Sequence, residues 1–283
     1  MKRLFIFLLA VLVLAGCSPK KQAGTTVVCH VGGTMRPVFE KLAEVYEDEA
    51  GVKVEINSAG SGELLANIEL LAEGDLYISH DPFLDIIMEK ELAVDGWTLG
   101  EIYPVIIVQK GNPKNIRTLN DFTRDDIQLA LTDYRLSTLG RLLPTIFAKA
   151  GMNLEQLTRQ KNIIVHRSGS YVGNLVVMKN ADAALVWAAV AALRRDTLDS
   201  IPIPENLPTP HVDAVTSATG KSYILTPVRV TICSLKCSAQ PEAAAEFMQF
   251  VTSGRVKNIL EEYGFGVSET LRKQEYKDGQ KLD

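Results

Sequence analysis

The stretch that decides the fold is Val27-Val28-Cys29-His30-Val31-Gly32-Gly33-Thr34, together with the amphipathic segment from Arg36 to Ala50 that follows it. A short apolar run, a small-residue turn and a helical pattern, in this order, predict a strand that leads directly into a helix. Gly51 is placed to end that helix, and Val52-Lys53-Val54-Glu55-Ile56 alternates as the next strand. A β-turn-α-β unit of this size is typical of a parallel sheet that helices cover on both faces.

The same order of elements repeats along the chain. The predicted strands cover residues 27–31, 52–56, 75–78, 102–109, 127–131, 163–165, 183–186 and 223–234. The predicted helices cover residues 36–50, 63–71, 83–91, 138–150, 171–179, 241–252 and 255–263. Two α/β lobes joined by long strands fit this pattern better than one continuous sheet. We therefore expect lobe 1 to comprise residues 25–104 and 222–283, and lobe 2 to comprise residues 105–221.

The N-terminus has the pattern of an export signal. Lys2 and Arg3 precede an apolar run from Leu4 to Leu14, and Leu14-Ala15-Gly16-Cys17 closes it. The run is too short to span a bilayer as a mature helix but suits a secretory signal. The closing residues resemble the bacterial lipobox, so we predict a signal peptide over residues 1–16, lipidation of Cys17 and a tether over residues 17–24. The alternative is an ordinary signal peptide with an incidental cysteine.

Composition limits the classes of partner. Hydrophobic residues make up 46% of the chain and charged residues 23%, which is ordinary for a globular protein. The formal net charge is −4 and becomes more negative once Lys2 and Arg3 are removed. Nucleic acid is therefore not expected as a partner, because phosphate contacts need clustered basic residues. A small anion is still compatible, because local dipoles bind anions inside a negative protein.

Three cysteines remain in the mature chain besides Cys17. Cys29 lies in the first predicted strand, whereas Cys233 and Cys237 lie where a late strand runs into a loop. A Cys29–Cys233 bridge between neighbouring strands and a local Cys233–Cys237 bridge are both compatible with export. These cysteines and His30 lack the close CxxC pairs of structural zinc sites. We therefore predict no metal site and no cofactor.

Two small-residue loops carry the candidate chemistry. Gly32-Gly33-Thr34 and Gly60-Ser61-Gly62 each follow a strand and immediately precede a helix. Ligands of open parallel sheets bind at the carboxyl ends of strands, where helix N-termini offer free N–H groups and a partial positive charge. His80 ends the third strand at the same edge. Plain helix capping by Thr34 and Ser61 is the competing interpretation.

Enzyme motifs are absent from the sequence. It contains no GxSxG, no HExxH, no Walker loop, and no GxGxxG after the first strand. Its four histidines are widely scattered, and no nucleophile–base pair is evident. We therefore expect a binding protein rather than an enzyme.

Several motifs resemble the molybdate-binding proteins of ABC importers. They are Ala59-Gly60-Ser61-Gly62-Glu63-Leu64, Asp75-Leu76-Tyr77-Ile78-Ser79-His80-Asp81, Val108-Gln109-Lys110-Gly111-Asn112-Pro113 and Ala181-Asp182-Ala183-Ala184-Leu185-Val186-Trp187. The similarity covers nearly all of the mature chain. It implies an α/β type II periplasmic-binding-protein fold, in which two lobes are joined by a hinge of crossover strands.

The resemblance also implies a ligand site. Thr34 stands where the family has a ligand-binding serine, and Ser61 matches its second serine. Main-chain N–H groups near Leu139 and near Gly169 match the family's contacts from the distal lobe. The ligand implied is a tetrahedral oxyanion, molybdate or tungstate, held in the cleft between the lobes. The protein would be a monomer that delivers this ion to a membrane permease.

Two positions depart from the family pattern. Trp187 replaces a tyrosine that donates its hydroxyl to the ligand, and its indole N–H can still donate although the ring is larger. His80 replaces a small residue. One rival hypothesis keeps the fold but has His80, Tyr77, Tyr134 and Tyr171 serve a metal cation or an organic anion, or has the site bind a sulfate-like anion. Another is a ligand-sensing domain that signals to a membrane receptor.

Overall fold

Two separate β-sheets form the framework of the protein in its computed structural model. The structure describes residues 24–134, 137–203, 214–216, 222–224, 228–267, 272–277 and 280–281. The predicted signal peptide, Cys17 and nearly all of the predicted tether therefore lie outside the described residues. The mixed α/β class predicted from the sequence is confirmed.

The first sheet has six strands in the order β13-β4-β12-β3-β1-β2. Their bounds are β1 Thr26–Gly32, β2 Lys53–Ala59, β3 Leu76–His80, β4 Ala93–Ile102, β12 Val228–Leu235 and β13 Arg272–Gln274. Strands β2, β1 and β3 run parallel, as the repeated β-turn-α pattern predicts. Strand β12 runs antiparallel between β3 and β4, and β13 pairs antiparallel with β4 at the edge.

The second sheet has five strands in the order β7-β6-β8-β5-β9. Their bounds are β5 Pro104–Gln109, β6 Leu129–Thr132, β7 Ile163–His166, β8 Ala183–Trp187 and β9 Leu198–Pro202. Strands β7, β6 and β8 run parallel, and β5 is antiparallel to both β8 and β9. Two small hairpins are separate from both sheets: β10 Ala214–Thr216 with β11 Ser222–Ile224, and β14 Tyr276–Lys277 with β15 Gln280–Lys281.

A helix follows each of the parallel strands along the chain, and two more helices follow β12. The bounds of all the helices are α1 Arg36–Ala50, α2 Ser61–Leu71, α3 Phe83–Glu89, α4 Thr138–Lys149, α5 Leu154–Gln160, α6 Gly169–Val177, α7 Ala188–Ala192, α8 Pro241–Val251 and α9 Lys257–Glu262. Helix α1 has the predicted bounds because Pro37 suits its first turn and Gly51 ends it in the left-handed region, with φ of 70°. In the part of the chain that the structure describes, no helix is long and apolar enough to cross a membrane.

Apolar clusters cover both faces of the first sheet. On one face, Phe39 and Leu42 of α1 and Phe247 of α8 belong to the large core cluster. On the other face, Leu65 of α2 and Ile87 of α3 belong to a smaller cluster. Burial of each such side chain contributes about 1.5–3 kcal/mol to folding. Packing on both faces therefore fixes α1 and α2, whose first turns lie at the carboxyl ends of β1 and β2.

Several boundaries differ from the sequence prediction. Strand β4 and helix α5 were not predicted. Helix α2 begins at Ser61, two residues before the predicted start. The single strand predicted over residues 223–234 is wrong, because β11 pairs with β10 whereas β12 joins the first sheet.

The cysteines form neither of the two bridges that the sequence left open. Strand β3 lies between β1, which carries Cys29, and β12, which carries Cys233. Residues separated by a whole strand are about 10 Å apart, beyond the roughly 7 Å limit between the Cα atoms of a disulfide. The two residues also belong to different core clusters. Cys29, Cys233 and Cys237 are all free thiols, so neither alternative pairing is formed.

The chain passes from the first sheet to the second at Tyr103, between β4 and β5. The carbonyl of Tyr103 accepts a 2.8 Å hydrogen bond from the N–H of Ala188, which begins α7. Gly264, with φ of +83°, lies so close to Ala188 that a Cβ there would be 2.7 Å from the Ala188 carbonyl oxygen. The chain after α9 is therefore packed tightly against the crossover.

Candidate functional site

The two glycine-containing loops of the first sheet are joined at its carboxyl edge. The N–H of Gly33 donates a 2.9 Å hydrogen bond to the carbonyl of Ala59, which ends β2. This bond holds the loop that contains Thr34 beside the first turn of α2. Thr34 is partly exposed, whereas Ser61 is buried with 6% exposure. The structure thus brings the first two predicted ligand residues to one edge.

Ser61 is the first residue of α2 and its hydroxyl has no partner. Gly60 precedes the helix in an extended conformation and provides no side-chain cap, so the N–H groups of the first turn have no acceptor within the helix. The Ser61 carbonyl accepts a 2.7 Å hydrogen bond from the Tyr77 hydroxyl. The Ser61 Oγ is buried without a hydrogen-bond partner. Leaving a buried hydroxyl unpaired costs about 1–3 kcal/mol.

Gly32 makes room for that hydroxyl. A Cβ on Gly32 would lie 2.5 Å from the Ser61 Oγ and 2.6 Å from the Met35 Cε. The Ser61 hydroxyl therefore points toward the end of β1, at the base of the loop that carries Thr34. Helix capping by Ser61, the competing interpretation, is not observed, because the capping position is Gly60.

His80 ends β3 and is half-buried at the same edge. Its Nδ1 is 2.9 Å from the Asp81 carbonyl, an acceptor, so Nδ1 carries the proton and Nε2 has a free lone pair. Burial lowers the pKa of His80, and the contacts with Asp81 only partly oppose this. The ring meets Phe83 edge-on at 5.7 Å between centroids. Phe83 in turn lies 3.3 Å from the position of a Cβ on Gly62, beside the first turn of α2.

The second sheet presents two capped helix N-termini at the carboxyl ends of β6 and β7. Ser137 accepts a 2.9 Å hydrogen bond from the Gly140 N–H and caps α4. Ser168 accepts a 3.3 Å hydrogen bond from the Tyr171 N–H and caps α6. Leu139 and Gly169 therefore lie in first turns whose N–H groups carry partial positive charge.

Each of these two residues offers its main chain rather than its side chain. Leu139 buries its side chain in the core, with 1% exposure. Gly169 is half-buried and has no side chain. Both residues lie at the starts of helices of the second sheet, whereas Thr34, Ser61 and His80 lie at the edge of the first sheet.

Trp187 ends β8, which is parallel to β6 and therefore ends at the same edge of the second sheet. It is 6% exposed and pairs with Pro104, the first residue of β5 after the crossover. The next residue, Ala188, donates to Tyr103. Trp187 thus lies beside the point where the chain changes sheets.

Sequence reasoning missed one polar residue at this edge. Thr132 is the last residue of β6, with 3% exposure, and its Oγ1 is buried without a hydrogen-bond partner. Its Cγ2 lies 3.9 Å from the position that a Cβ on Gly169 would take. The sequence prediction ended this strand at residue 131. The sequence did offer a signal that the strand continues to residue 132, because Thr132 is β-branched and such residues favour strands.

Two of the residues invoked for a metal cation, Tyr77 and Tyr171, already have other contacts. The Tyr77 hydroxyl already donates to Ser61, and burial raises its pKa well above the usual range. Tyr171 is exposed and stacks on His166 at 4.0 Å. Within the described ranges, no group of three or more His, Cys, Asp or Glu side chains could hold a metal ion.

A cavity of about 270 Å³ lies elsewhere on the first sheet, and none of the predicted site residues lines it. His30 lines it, and the His30 Nε2 donates a 2.9 Å hydrogen bond to the Glu73 carbonyl. We base the candidate site on the strand edges instead, because hydroxyl groups and helix N-termini meet there.

Ligands of open α/β sheets bind at the carboxyl ends of parallel strands, and there this protein has hydroxyl groups and helix N-termini. The chain belongs to the family of bacterial extracellular solute-binding proteins, whose family model matches residues 27–266. It is therefore a binding protein and not an enzyme. Residues 1–18 match a prokaryotic membrane lipoprotein lipid attachment site, a segment that includes Cys17. The predicted lipid anchoring outside the cytoplasm is thus confirmed.

Individual relatives support the same fold. The molybdate-binding protein ModA of Mycobacterium tuberculosis is 24% identical over 247 residues, which cover 86% of this chain and 85% of that relative. The periplasmic molybdate-binding protein of Azotobacter vinelandii has a TM-score of 0.66 at 15% identity and covers 86% of this chain and 100% of its own. The sulfate-binding protein SubI of M. tuberculosis has a TM-score of 0.67 at 15% identity, and the match covers 87% of this chain and 88% of that protein's chain. The predicted type II periplasmic-binding fold is confirmed.

Proposed function

We propose that this lipoprotein binds a tetrahedral oxyanion, with molybdate or tungstate preferred, and delivers it to the membrane permease of an ABC importer. The similarity to molybdate-binding relatives supports the ligand class. The single observation that carries the proposal is the Ser61 hydroxyl, which is buried without a partner where two loops meet a helix N-terminus. An anion there would accept from that hydroxyl and from the N–H groups of α2.

The proposed ligand shell consists of neutral donors from both sheets. Thr34 and Ser61 supply hydroxyl groups from the first sheet, and the N–H groups of Leu139 and Gly169 come from the second. Trp187 would close the side nearest the crossover. Backbone N–H groups can only donate, so they suit the oxygens of a fully deprotonated dianion and cannot accept the hydrogen of a protonated phosphate.

The proposed mechanism is hinge closure. Lobe 1 would comprise residues 25–104 and 222–283, and lobe 2 residues 105–221. The six-stranded sheet lies in the first of these, and the five-stranded sheet, apart from Pro104, lies in the second. Contacts from both lobes to one ligand form only when the lobes come together, so the ligand stabilises the closed state. The closed monomer then docks on the permease. The lipid anchor supports this, because it keeps the protein close to the membrane.

The test is isothermal titration calorimetry on the mature lipoprotein in detergent, with molybdate, tungstate, sulfate and phosphate in turn. We expect one-to-one binding of molybdate or tungstate and much weaker binding of sulfate and phosphate. Lack of binding by all four anions would overturn the oxyanion proposal, although the fold would stand. Divalent metals and organic anions would then be titrated.

Sulfate is the second candidate, and Trp187 is the observation that favours it. An indole ring at the position of a tyrosine takes up more volume, so a narrower pocket would suit a smaller anion. The likeness to SubI is as strong as the likeness to the molybdate-binding structure. Sulfate binding tighter than molybdate binding in the same titration would select this alternative.

A further inference from the structure

Thr132 shares an unusual property with Ser61. The buried side-chain atoms without a hydrogen-bond partner in the described part of the chain are His30 Nδ1, Ser61 Oγ, Asp95 Oδ1, Thr98 Oγ1 and Thr132 Oγ1. His30 lies within β1, and Asp95 and Thr98 lie within β4. Only Ser61 and Thr132 in this set lie where the carboxyl end of a parallel strand meets the start of a helix. Within the described residues, each sheet thus has one such hydroxyl.

Thr132 lies close to the first turns of two helices of the second sheet. Its methyl group packs near Gly169, the first residue of α6, with 3.9 Å between Thr132 Cγ2 and the position of a Cβ on Gly169. Its chain neighbour, Asp133, accepts hydrogen bonds at its carbonyl from both the N–H and the hydroxyl of Ser137, which caps α4. Thr132 is therefore fixed between the first turns of two helices whose N–H groups lack intrahelical acceptors.

We propose that Thr132 is a ligand contact and specificity determinant of the second sheet, whose hydroxyl donates a hydrogen bond to one oxygen of the bound oxyanion. This inference rests on the proposed function. In the absence of ligand, the buried hydroxyl destabilises the protein, because it has given up water without gaining a partner. In the closed complex the oxyanion supplies that partner, and Thr132 matches Ser61 across the cleft.

A structural hydroxyl and a ligand-binding hydroxyl give opposite results in the Thr132→Val variant. Valine keeps the shape of threonine but removes the hydroxyl group. If the hydroxyl serves only the ligand, the ligand-free variant is at least as stable as the natural protein, because no internal hydrogen bond is lost. Its affinity for the ligand nevertheless falls, because a hydrogen bond to a charged group is lost.

The experiment measures two quantities for each variant of the mature lipoprotein in detergent. These are the Kd for molybdate by calorimetry and the Tm of the ligand-free protein. We expect Thr132→Val to weaken binding about tenfold or more, with an unchanged or higher Tm. Thr132→Ser keeps the hydroxyl and should bind within a few-fold of the natural protein. Thr98→Val is the matched control, because it removes an equally unpartnered hydroxyl from β4 and should leave the Kd unchanged.

The outcomes separate the two proposals. If the natural protein binds none of molybdate, tungstate, sulfate and phosphate, the proposed function fails and this inference fails with it. If it binds one of them and Thr132→Val binds that anion equally well, only the role of Thr132 is overturned. A parallel loss of Tm and affinity in Thr132→Val would also overturn it, since the hydroxyl would then be structural.

Discussion

The Tyr77 hydroxyl donates a 2.7 Å hydrogen bond to the carbonyl of Ser61, and this bond ties strand β3 to the first residue of helix α2. Tyr77 is fully buried in the smaller core cluster of the first sheet. The bond fixes the backbone of Ser61, whereas the Ser61 side-chain hydroxyl has no hydrogen-bond partner. We therefore infer that Tyr77 is a positioning residue, which would hold α2 where the proposed oxyanion meets Ser61.

Replacing Ser61 by alanine tests the proposed contact directly. The Ser61→Ala variant should bind molybdate at least about tenfold more weakly, because one hydrogen bond to a charged ligand is lost. Its ligand-free Tm should not fall, because the hydroxyl has no internal partner. Ser58→Ala removes an exposed hydroxyl from β2 and is the control. Equal affinities for the Ser61→Ala variant and the natural protein would refute the contact.

Replacing Tyr77 by phenylalanine tests the positioning role. We expect the free energy of unfolding in urea to fall by about 1 kcal/mol, because the hydrogen bond from the Tyr77 hydroxyl to the Ser61 carbonyl is lost. Molybdate affinity should also fall, by less than in Ser61→Ala, since the ligand-binding hydroxyl remains. A variant that loses stability but keeps full affinity would show that the bond supports the fold alone.

The pKa of His80 predicts a pH dependence of stability. Burial lowers this pKa in the folded protein below the unfolded value of about 6.5, so the folded state binds fewer protons. The stabilising contribution of His80 is therefore fully present above about pH 6.5 and is lost as the pH falls through the folded-state pKa. Urea unfolding of the natural protein and of His80→Asn between about pH 5 and 8 measures it.

The comparison with His80→Asn cancels the titration of other groups to a first approximation. Asp81, the immediate neighbour, has its pKa raised by burial, which hydrogen bonds from Arg229 oppose. We expect the stability difference between the two proteins to move in favour of His80→Asn as the pH falls. A difference that is constant over the whole range would contradict the lowered pKa.

The ion pair between Arg229 and Asp81 predicts a large loss of stability on substitution. The guanidinium contacts both carboxylate oxygens at 2.6–3.0 Å, and the side chains are only 15% and 3% exposed. Arg229→Met leaves the Asp81 carboxylate buried without its cation, so we expect a loss of about 3–5 kcal/mol in urea unfolding. Arg255→Met removes an exposed pair with Glu49 and should change stability little. Equal effects of the two variants would contradict this assignment.

Local signals explain which parts of the fold were predictable. Helix α1 could be predicted to the residue, because its apolar spacing and Gly51 lie within one segment. Strand β4 could not, because Gly96 and Gly100 look like strand breakers. In the structure, a Cβ on Gly96 would lie 2.6 Å from Leu84, and one on Gly100 would lie 2.5 Å from the Gly266 carbonyl oxygen. These glycines permit close packing with residues distant in the sequence, which periodicity does not reveal.

The same distinction holds for the candidate site. Thr34 and Ser61 follow strands within small-residue loops, so the local pattern indicates them. Thr132 does not lie in such a loop. It is a candidate because its hydroxyl is unpaired and because it lies beside Gly169, a residue distant in the sequence. The Cys29–Cys233 bridge failed for a related reason: β3 inserts between their strands, and strand order is not a local property.

The close approach of Gly32 to Ser61 gives the last prediction. In Gly32→Ala, the new Cβ would lie 2.5 Å from Ser61 Oγ and 2.6 Å from Met35 Cε, so both groups must move. Both are ends of flexible side chains, and we therefore expect a small change in Tm. The Ser61 hydroxyl is displaced, however, so molybdate affinity should fall about as far as in Ser61→Ala. Gly33→Ala is the neighbouring control, because its Cβ would meet only the Ala59 carbonyl oxygen at an ordinary 3.8 Å. If calorimetry shows the same loss for both alanine variants, crowding of the loop rather than displacement of Ser61 is responsible.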